Sequence, residues 1–172
     1  MGVPVVVKLF RSEARTLDVC RREFRLAYTV RADRTAAPLG YGVSATGAYL
    51  VTTYLPAYRS GSVLAGRRMP APRLQAFGSA LASTLAAINA RSVVHCDIKP
   101  SNLLVDGDDV RVTNLGIARY IGQMGGHGGV AQCHPGWAEP EQLRSIEATS
   151  AVDVFAWACL GVPGQRDAPV RE

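Results

Sequence analysis

Eight residues near the middle of the chain, His95-Cys96-Asp97-Ile98-Lys99-Pro100-Ser101-Asn102, place an acid, a base and an amide side by side, ahead of the apolar pair Leu103-Leu104. Pro100 disfavours a helix, so Asp97, Lys99 and Asn102 meet only if the segment is a tight loop. Such a loop suits phosphoryl transfer. A carboxylate accepts the proton of an attacking hydroxyl, an ammonium neutralises the moving phosphoryl group, and an amide carbonyl ligates magnesium. The competing reading of the same string is a polar surface turn holding unrelated side chains.

The bulk properties narrow the setting. The 172 residues fit one modest domain or part of a larger one. Hydrophobic residues make up 48% and charged residues 19%, the balance of a chain that buries a core rather than of a disordered one. The net charge of +5 includes a cluster at Arg21, Arg22 and Arg25, followed by Arg31 and Arg34. No aromatic residues interleave as a stacking platform, so a solvated helix face is expected there and no nucleic-acid partner. The four cysteines, Cys20, Cys96, Cys133 and Cys159, form no C-x-x-C pair, which argues against zinc and thioredoxin-type chemistry. No signal-peptide pattern and no run of 18 apolar residues is present, and a cytoplasmic chain with reduced thiols and no membrane segment is expected.

The elements around the loop follow from local patterns. Val3 to Phe10 is a β-branched run interrupted by Lys8, either an edge lysine snorkelling to water or an ammonium that needs an anionic partner. Leu17, Cys20, Phe24, Ala27 and Tyr28 recur at helical spacing, with Glu23 among arginines as a surface charge or as a partner for Lys8. Tyr41 to Val43 and Ala48 to Leu55 predict a hairpin through Ser44 to Gly47, and Ala57 to Arg68 a polar linker. A boundary is expected at Pro56, between a strand-rich part (1–56) and a helix-rich part (57–172). Leu74, Phe77, Leu81, Leu85 and Ile88 predict an amphipathic helix started by Pro70 and Pro72, with Arg91 in its last turn. Its small residues Gly78, Ser79, Ala80, Ala82 and Ala86 would admit a second helix. Asp106-Gly107 marks a second hairpin, Leu103 to Thr113. The stretch Gly122 to Gly129 predicts a mobile loop, Asp153 opens a helix Val154 to Leu160, and a tail is expected from about 161.

In order and spacing these segments resemble the eukaryotic-type protein kinases, closest to the bacterial Ser/Thr branch, from Val3 to about Leu160. Val5-Val6-Val7-Lys8 resembles the strand-three lysine motif, and Glu23 the glutamate of helix αC. Leu50 to Leu55 resembles the hinge, with Thr52 at the gatekeeper position. His95 to Asn102 resembles the catalytic loop, with Lys99 typical of Ser/Thr kinases. Asn114-Leu115-Gly116 stands where Asp-Phe-Gly belongs, Glu139-Pro140-Glu141 where Ala-Pro-Glu belongs, and Asp153 to Ala158 resembles the start of helix αF.

The resemblance implies an α+β, two-lobed fold, truncated at both ends: an N-lobe from strand three without the glycine-rich loop, and a C-lobe to about αF, with apolar surface left uncovered. It implies ATP and Mg2+ as cofactors and a protein substrate or signalling partner. By the same resemblance Lys8 binds phosphates and pairs with Glu23, and the backbone near Thr53 and Leu55 binds adenine. Asp97 orients the substrate hydroxyl, Lys99 screens the γ-phosphate, and Asn102 and Asn114 hold magnesium. Asn114 brings no charge where the family has an aspartate. Cys96 replaces the arginine that clasps a phosphorylated activation loop, and no serine or threonine lies between Ile117 and Pro140. Ala158 replaces a glycine of αF. The expectation is a Ser/Thr protein kinase domain with weak or no turnover. The alternatives are a pseudokinase scaffold and, disfavoured by Lys99, a small-molecule phosphotransferase.

Overall fold

The computed structural model describes residues 2–10, 16–30, 34–64, 69–123, 134, 136–138 and 147–160. The expected Glu139-Pro140-Glu141 motif, most of the Gly122–Gly129 stretch, Cys133 and the tail from 161 lie outside the described residues.

The valine run folds as β1 (Val5–Leu9), and the hairpin as β2 (Pro38–Ser44) and β3 (Gly47–Thr53). They form one antiparallel sheet in the order β1-β3-β2, with Lys8 opposite Leu50. β3 is the centre because its alternating Ala48 and Leu50 point down onto helix α1 (Thr16–Thr29), where they bury Cys20 and pack Phe10 and Phe24. β1 is an edge strand, and its Val5, Val6, Val7 and Leu9 remain exposed.

The buried face of α1 differs from the expected one. Leu17 and Tyr28 are exposed, and the inward residues are Cys20, Glu23, Leu26, Ala27 and Val30. The helix is rotated so that the Glu23 carboxylate, not the Tyr28 ring, faces inward. Glu23 is 2% exposed, a position that an acid tolerates only with a cation beside it.

Helix α2 (Ala71–Asn89) starts after Pro70, with Pro72 in its first turn where a missing N–H costs nothing. Arg91 is not in its last turn. The helix ends at Asn89, and the Arg91 guanidinium donates instead to the Thr29 carbonyl at 3.4 Å. Leu81, Leu85 and Ile88 bury against the second hairpin, β6 (Leu103–Asp106) and β7 (Asp109–Val112), which turns through Gly107 at φ +55°. Helix α3 (Ser150–Leu160) packs on α2, and its Trp157 indole N–H donates to the Gly78 carbonyl at 2.9 Å. A Cβ at Gly78 would stand 3.8 Å from the indole, in ordinary contact, so the stripe of small residues admits the second helix as its composition suggested.

Two further pieces correct the expected linker at 57–68. Arg59–Ser60 form β4, paired with β6, and Gly61–Leu64 make a short 3-10 turn. Gly61 is required there: a Cβ would stand 2.7 Å from the Pro100 carbonyl oxygen. One hydrophobic core joins Leu26 of α1 and Val30 just past its end to Leu81 and Ile88 of α2 and to Val110 and Val112 of β7. Among the described residues no helix is long and apolar enough to cross a membrane.

Candidate active site

β5 (Val93–Val94) pairs with β8 (Arg119–Tyr120) and delivers the chain into the 95–102 loop from a fully buried position. The loop is pinned from below by Asp153 on α3, itself 1% exposed. Its carboxylate accepts the backbone N–H of His95 at 2.9 Å and of Cys96 at 3.0 Å. Burial raises the pKa of this carboxyl, against the opposing pull of His95 and of the two N–H donors. Cys96 is held at φ +65°, a left-handed conformation unfavourable for a side chain with a Cβ, and Asp153 receives its N–H and that of the residue before it. The buried Cys96 thiol is pushed up to about 12 by desolvation first and then by the Asp153 charge.

His95 is fully buried and closes the loop on itself. Its Nε2 lies 2.9 Å from the Thr113 carbonyl, and its Nδ1 accepts the Asp97 N–H at 3.2 Å. These two bonds select the Nε2–H tautomer. Pro100–Asn102 form one 3-10 turn, which brings Asn102 back under Asp97. The Asn102 amide donates both to the Asp97 carbonyl at 2.8 Å and to its Oδ2 at 2.7 Å. Lys99 Nζ lies 3.2 Å from the same Oδ2. The predicted acid, base and amide are therefore brought together.

From Asn102 the polar chain runs outward to the first strand and helix. Asn114 donates to Asn102 Oδ1 at 3.3 Å and accepts from Lys8 Nζ at 2.7 Å. Lys8 in turn reaches both Glu23 oxygens, at 2.9 and 2.8 Å. This answers the two readings of Lys8: its ammonium has an anionic partner. Asn114 sits at φ +63°, where asparagine is among the better-tolerated side chains. Gly116 lets the cluster close, because a Cβ there would stand 3.2 Å from Glu23 Oε2 and 3.5 Å from Lys8 Nζ. Arg22 of α1 donates to the Ala118 carbonyl at 2.6 Å and fixes the helix against this segment.

The hinge residues stand apart from this chain. The Thr53 N–H donates to the Ala37 carbonyl at 2.9 Å, its hydroxyl accepts the Ala37 N–H at 3.0 Å, and the Leu55 carbonyl accepts the Tyr58 N–H.

The residues expected to hold magnesium do not fit a divalent cation. Asn102 and Asn114 offer neutral amide oxygens, and each oxygen already accepts an N–H: one from the other amide, one from Lys8. Hard cations favour carboxylates. Among the described residues no group of three or more His, Cys, Asp or Glu side chains is placed to hold a metal ion.

His134 carries a part that the sequence did not announce. Its Nδ1 lies 2.7 Å from Asp97 Oδ1, and Lys99 Nζ approaches its ring nitrogens at 2.7 Å. The imidazole covers the carboxylate oxygen that Lys99 and Asn102 leave open, beside a shallow dip lined by Cys96, Ile98, Trp137 and Val152. A lone histidine before Pro-Gly has no local signature; only the return of the chain to Asp97 reveals it.

Comparison with known proteins points the same way. The sequence model of the protein kinase domain matches residues 2–163. The serine/threonine-protein kinase AfsK of Streptomyces coelicolor is 32% identical over 162 residues, 90% of this chain and 20% of the relative. The probable serine/threonine-protein kinase PkwA of Thermomonospora curvata is 30% identical over 161 residues, 90% of this chain and 22% of the relative. The serine/threonine-protein kinase pkn2 of Myxococcus xanthus is 26% identical over 172 residues, 93% of this chain and 21% of the relative. The chain thus spans about a fifth of the length of these curated relatives.

Proposed function

The chain belongs to the protein kinase family, and from that premise we propose that it is a Ser/Thr protein kinase domain that binds ATP and transfers phosphate to protein far more slowly than an equivalent with aspartate at position 114. The observation that carries the reading is the continuous polar chain from Glu23 through Lys8, Asn114 and Asn102 to Asp97. In it, Asp97 receives the proton of the attacking serine or threonine hydroxyl as the γ-phosphoryl group moves to that oxygen and ADP leaves. Lys99 screens the transferring phosphoryl group. Lys8, held by Glu23, meets the other phosphates, and the backbone at Thr53 and Leu55 faces adenine. Asn102 holds the Asp97 carboxylate in place by its amide.

The division into an N-lobe portion (1–56) and a C-lobe portion (57–172), a cytoplasmic location, and a protein substrate or signalling partner are part of the same reading. A protein rather than a nucleic acid is favoured because Arg22 of the basic cluster is committed to the Ala118 carbonyl. Asn114 favours a second reading, a kinase-like module that binds nucleotide without turnover.

Phosphate transfer from ATP to a Ser/Thr peptide mixture separates the two. Slow transfer by the wild type, at least about tenfold faster in Asn114→Asp and abolished there by Asp97→Ala, is the expected result, since a missing preorganised charge costs orders of magnitude in rate. No transfer by either the wild type or Asn114→Asp leaves the module without turnover. Wild-type transfer as fast as that of Asn114→Asp overturns the assignment of a slow enzyme.

A further inference from the structure

We propose that this site takes a nucleoside triphosphate without a divalent cation, and that the Lys8 ammonium, not a metal ion, is the charge that meets its phosphates. The inference rests on the nucleotide-binding reading above and goes beyond it by removing the metal.

Four charged side chains surround the place where Asn102 meets Asn114. Lys8 is paired with Glu23, and Lys99 with Asp97, so their charges sum to zero. The two side chains between the pairs are neutral amides. A site of zero net charge does not repel a triphosphate as a whole, and so has no need of a cation to screen that repulsion. With an aspartate at 114 the sum would become −1, and a bound metal would have to offset it.

The amide also changes what the side chain can do. A carboxylate only accepts, whereas the Asn114 Nδ2 donates and carries two N–H groups, of which one is directed at Asn102 Oδ1. The other can be given to a phosphate oxygen. Asn114 is exposed, so an arriving ligand reaches it. Lys8 spends its three N–H groups on the two Glu23 oxygens and on Asn114 Oδ1. The last of these partners is neutral. A phosphate oxygen displaces a neutral acceptor from an ammonium more readily than it displaces a carboxylate. Lys8 therefore keeps Glu23 and exchanges Asn114 for phosphate, and no metal ligand is lost in the exchange.

The test is equilibrium binding of ATP to the full chain by calorimetry, once with excess EDTA and once with excess Mg2+. The expected wild-type Kd changes by less than about threefold between the two conditions. Asn114→Asp should bind at least about tenfold more weakly in EDTA and recover with Mg2+, the effect of one added negative charge beside the phosphates. Lys8→Gln should lose binding in EDTA. A wild-type Kd that is tenfold or more weaker in EDTA overturns the inference without touching the nucleotide-binding reading. Absence of ATP binding by both the wild type and Asn114→Asp, in either condition, overturns that reading and the inference together. The wild-type comparison decides the matter even where a variant fails to fold.

Discussion

Replacing Asp153 by leucine should loosen the loop that carries Asp97 without touching any residue assigned to nucleotide or substrate. The side chain is 1% exposed and accepts the N–H groups of His95 and Cys96 at 2.9 and 3.0 Å. Leucine has the same branched skeleton of heavy atoms but no acceptor, so both buried donors are orphaned. Each orphan costs about 1–3 kcal/mol, giving about 2–6 kcal/mol in all. Part is returned because a buried carboxyl with a raised pKa no longer has to be desolvated. The net loss should be about 3 kcal/mol, a large fraction of the roughly 5–15 kcal/mol that holds a domain together. Urea unfolding followed by circular dichroism measures it as a shift in midpoint at constant slope. Asp153→Asn keeps one acceptor oxygen but turns an NH2 toward the second donor, and should fall between the two. The pH dependence has a definite sign. The native carboxyl holds its proton to higher pH than the unfolded one, so the advantage of the wild type over Asp153→Leu is greatest in acid and shrinks as pH rises through the raised native pKa. A midpoint shift corresponding to less than about 1 kcal/mol would refute the assignment of Asp153 as the anchor of the loop.

Two other outcomes are checked as directly. The Cys96 thiol, buried and pushed up to about 12 from 9.0, should resist alkylation by iodoacetamide at pH 8 in the native chain and react only on unfolding, read by mass spectrometry of its peptide. Because the unfolded thiol ionises first, the chain should lose about 1.4 kcal/mol of stability per pH unit between about pH 9 and 12, and Cys96→Ala should remove that slope. Labelling of Cys96 as fast as a free thiol would contradict its burial. His134→Ala, made on the Asn114→Asp background, uncovers Asp97 Oδ1 and frees Lys99, and should lower the KM for a peptide acceptor several-fold with a smaller change in kcat. An unchanged KM would show that the imidazole does not compete with the acceptor.

Much of the chemistry was legible before any fold was known, because it is written in neighbouring residues. Asp97, Lys99 and Asn102 lie within six positions, and Pro100 forces the turn that gathers them. Gly107 set the second hairpin, and the three- and four-residue steps of Leu74 to Ile88 set α2, since turn chemistry and helical period are local properties. For Glu23 two roles stood open, a surface charge or the partner of Lys8. What chose between them was the rotation of α1, and that depended on β3 offering Ala48 and Leu50 to Cys20.

The remainder was decided by contacts across long stretches of chain. Lys8 and Asn114 are separated by 106 positions, His95 and Asp153 by 58, and His134 and Asp97 by 37. The pairing of Arg59–Ser60 with β6 likewise turned an expected linker into a strand. No period or turn signal encodes such pairs, because a side chain's partner across the core is fixed only when helices and sheets are packed together. The sequence by itself determined which groups are available: two carboxylates, two ammoniums and two amides, one of them at 114 where an acid would bring charge. The tertiary structure alone decided that the amide is shared between Lys8, which donates to it, and Asn102, which accepts from it.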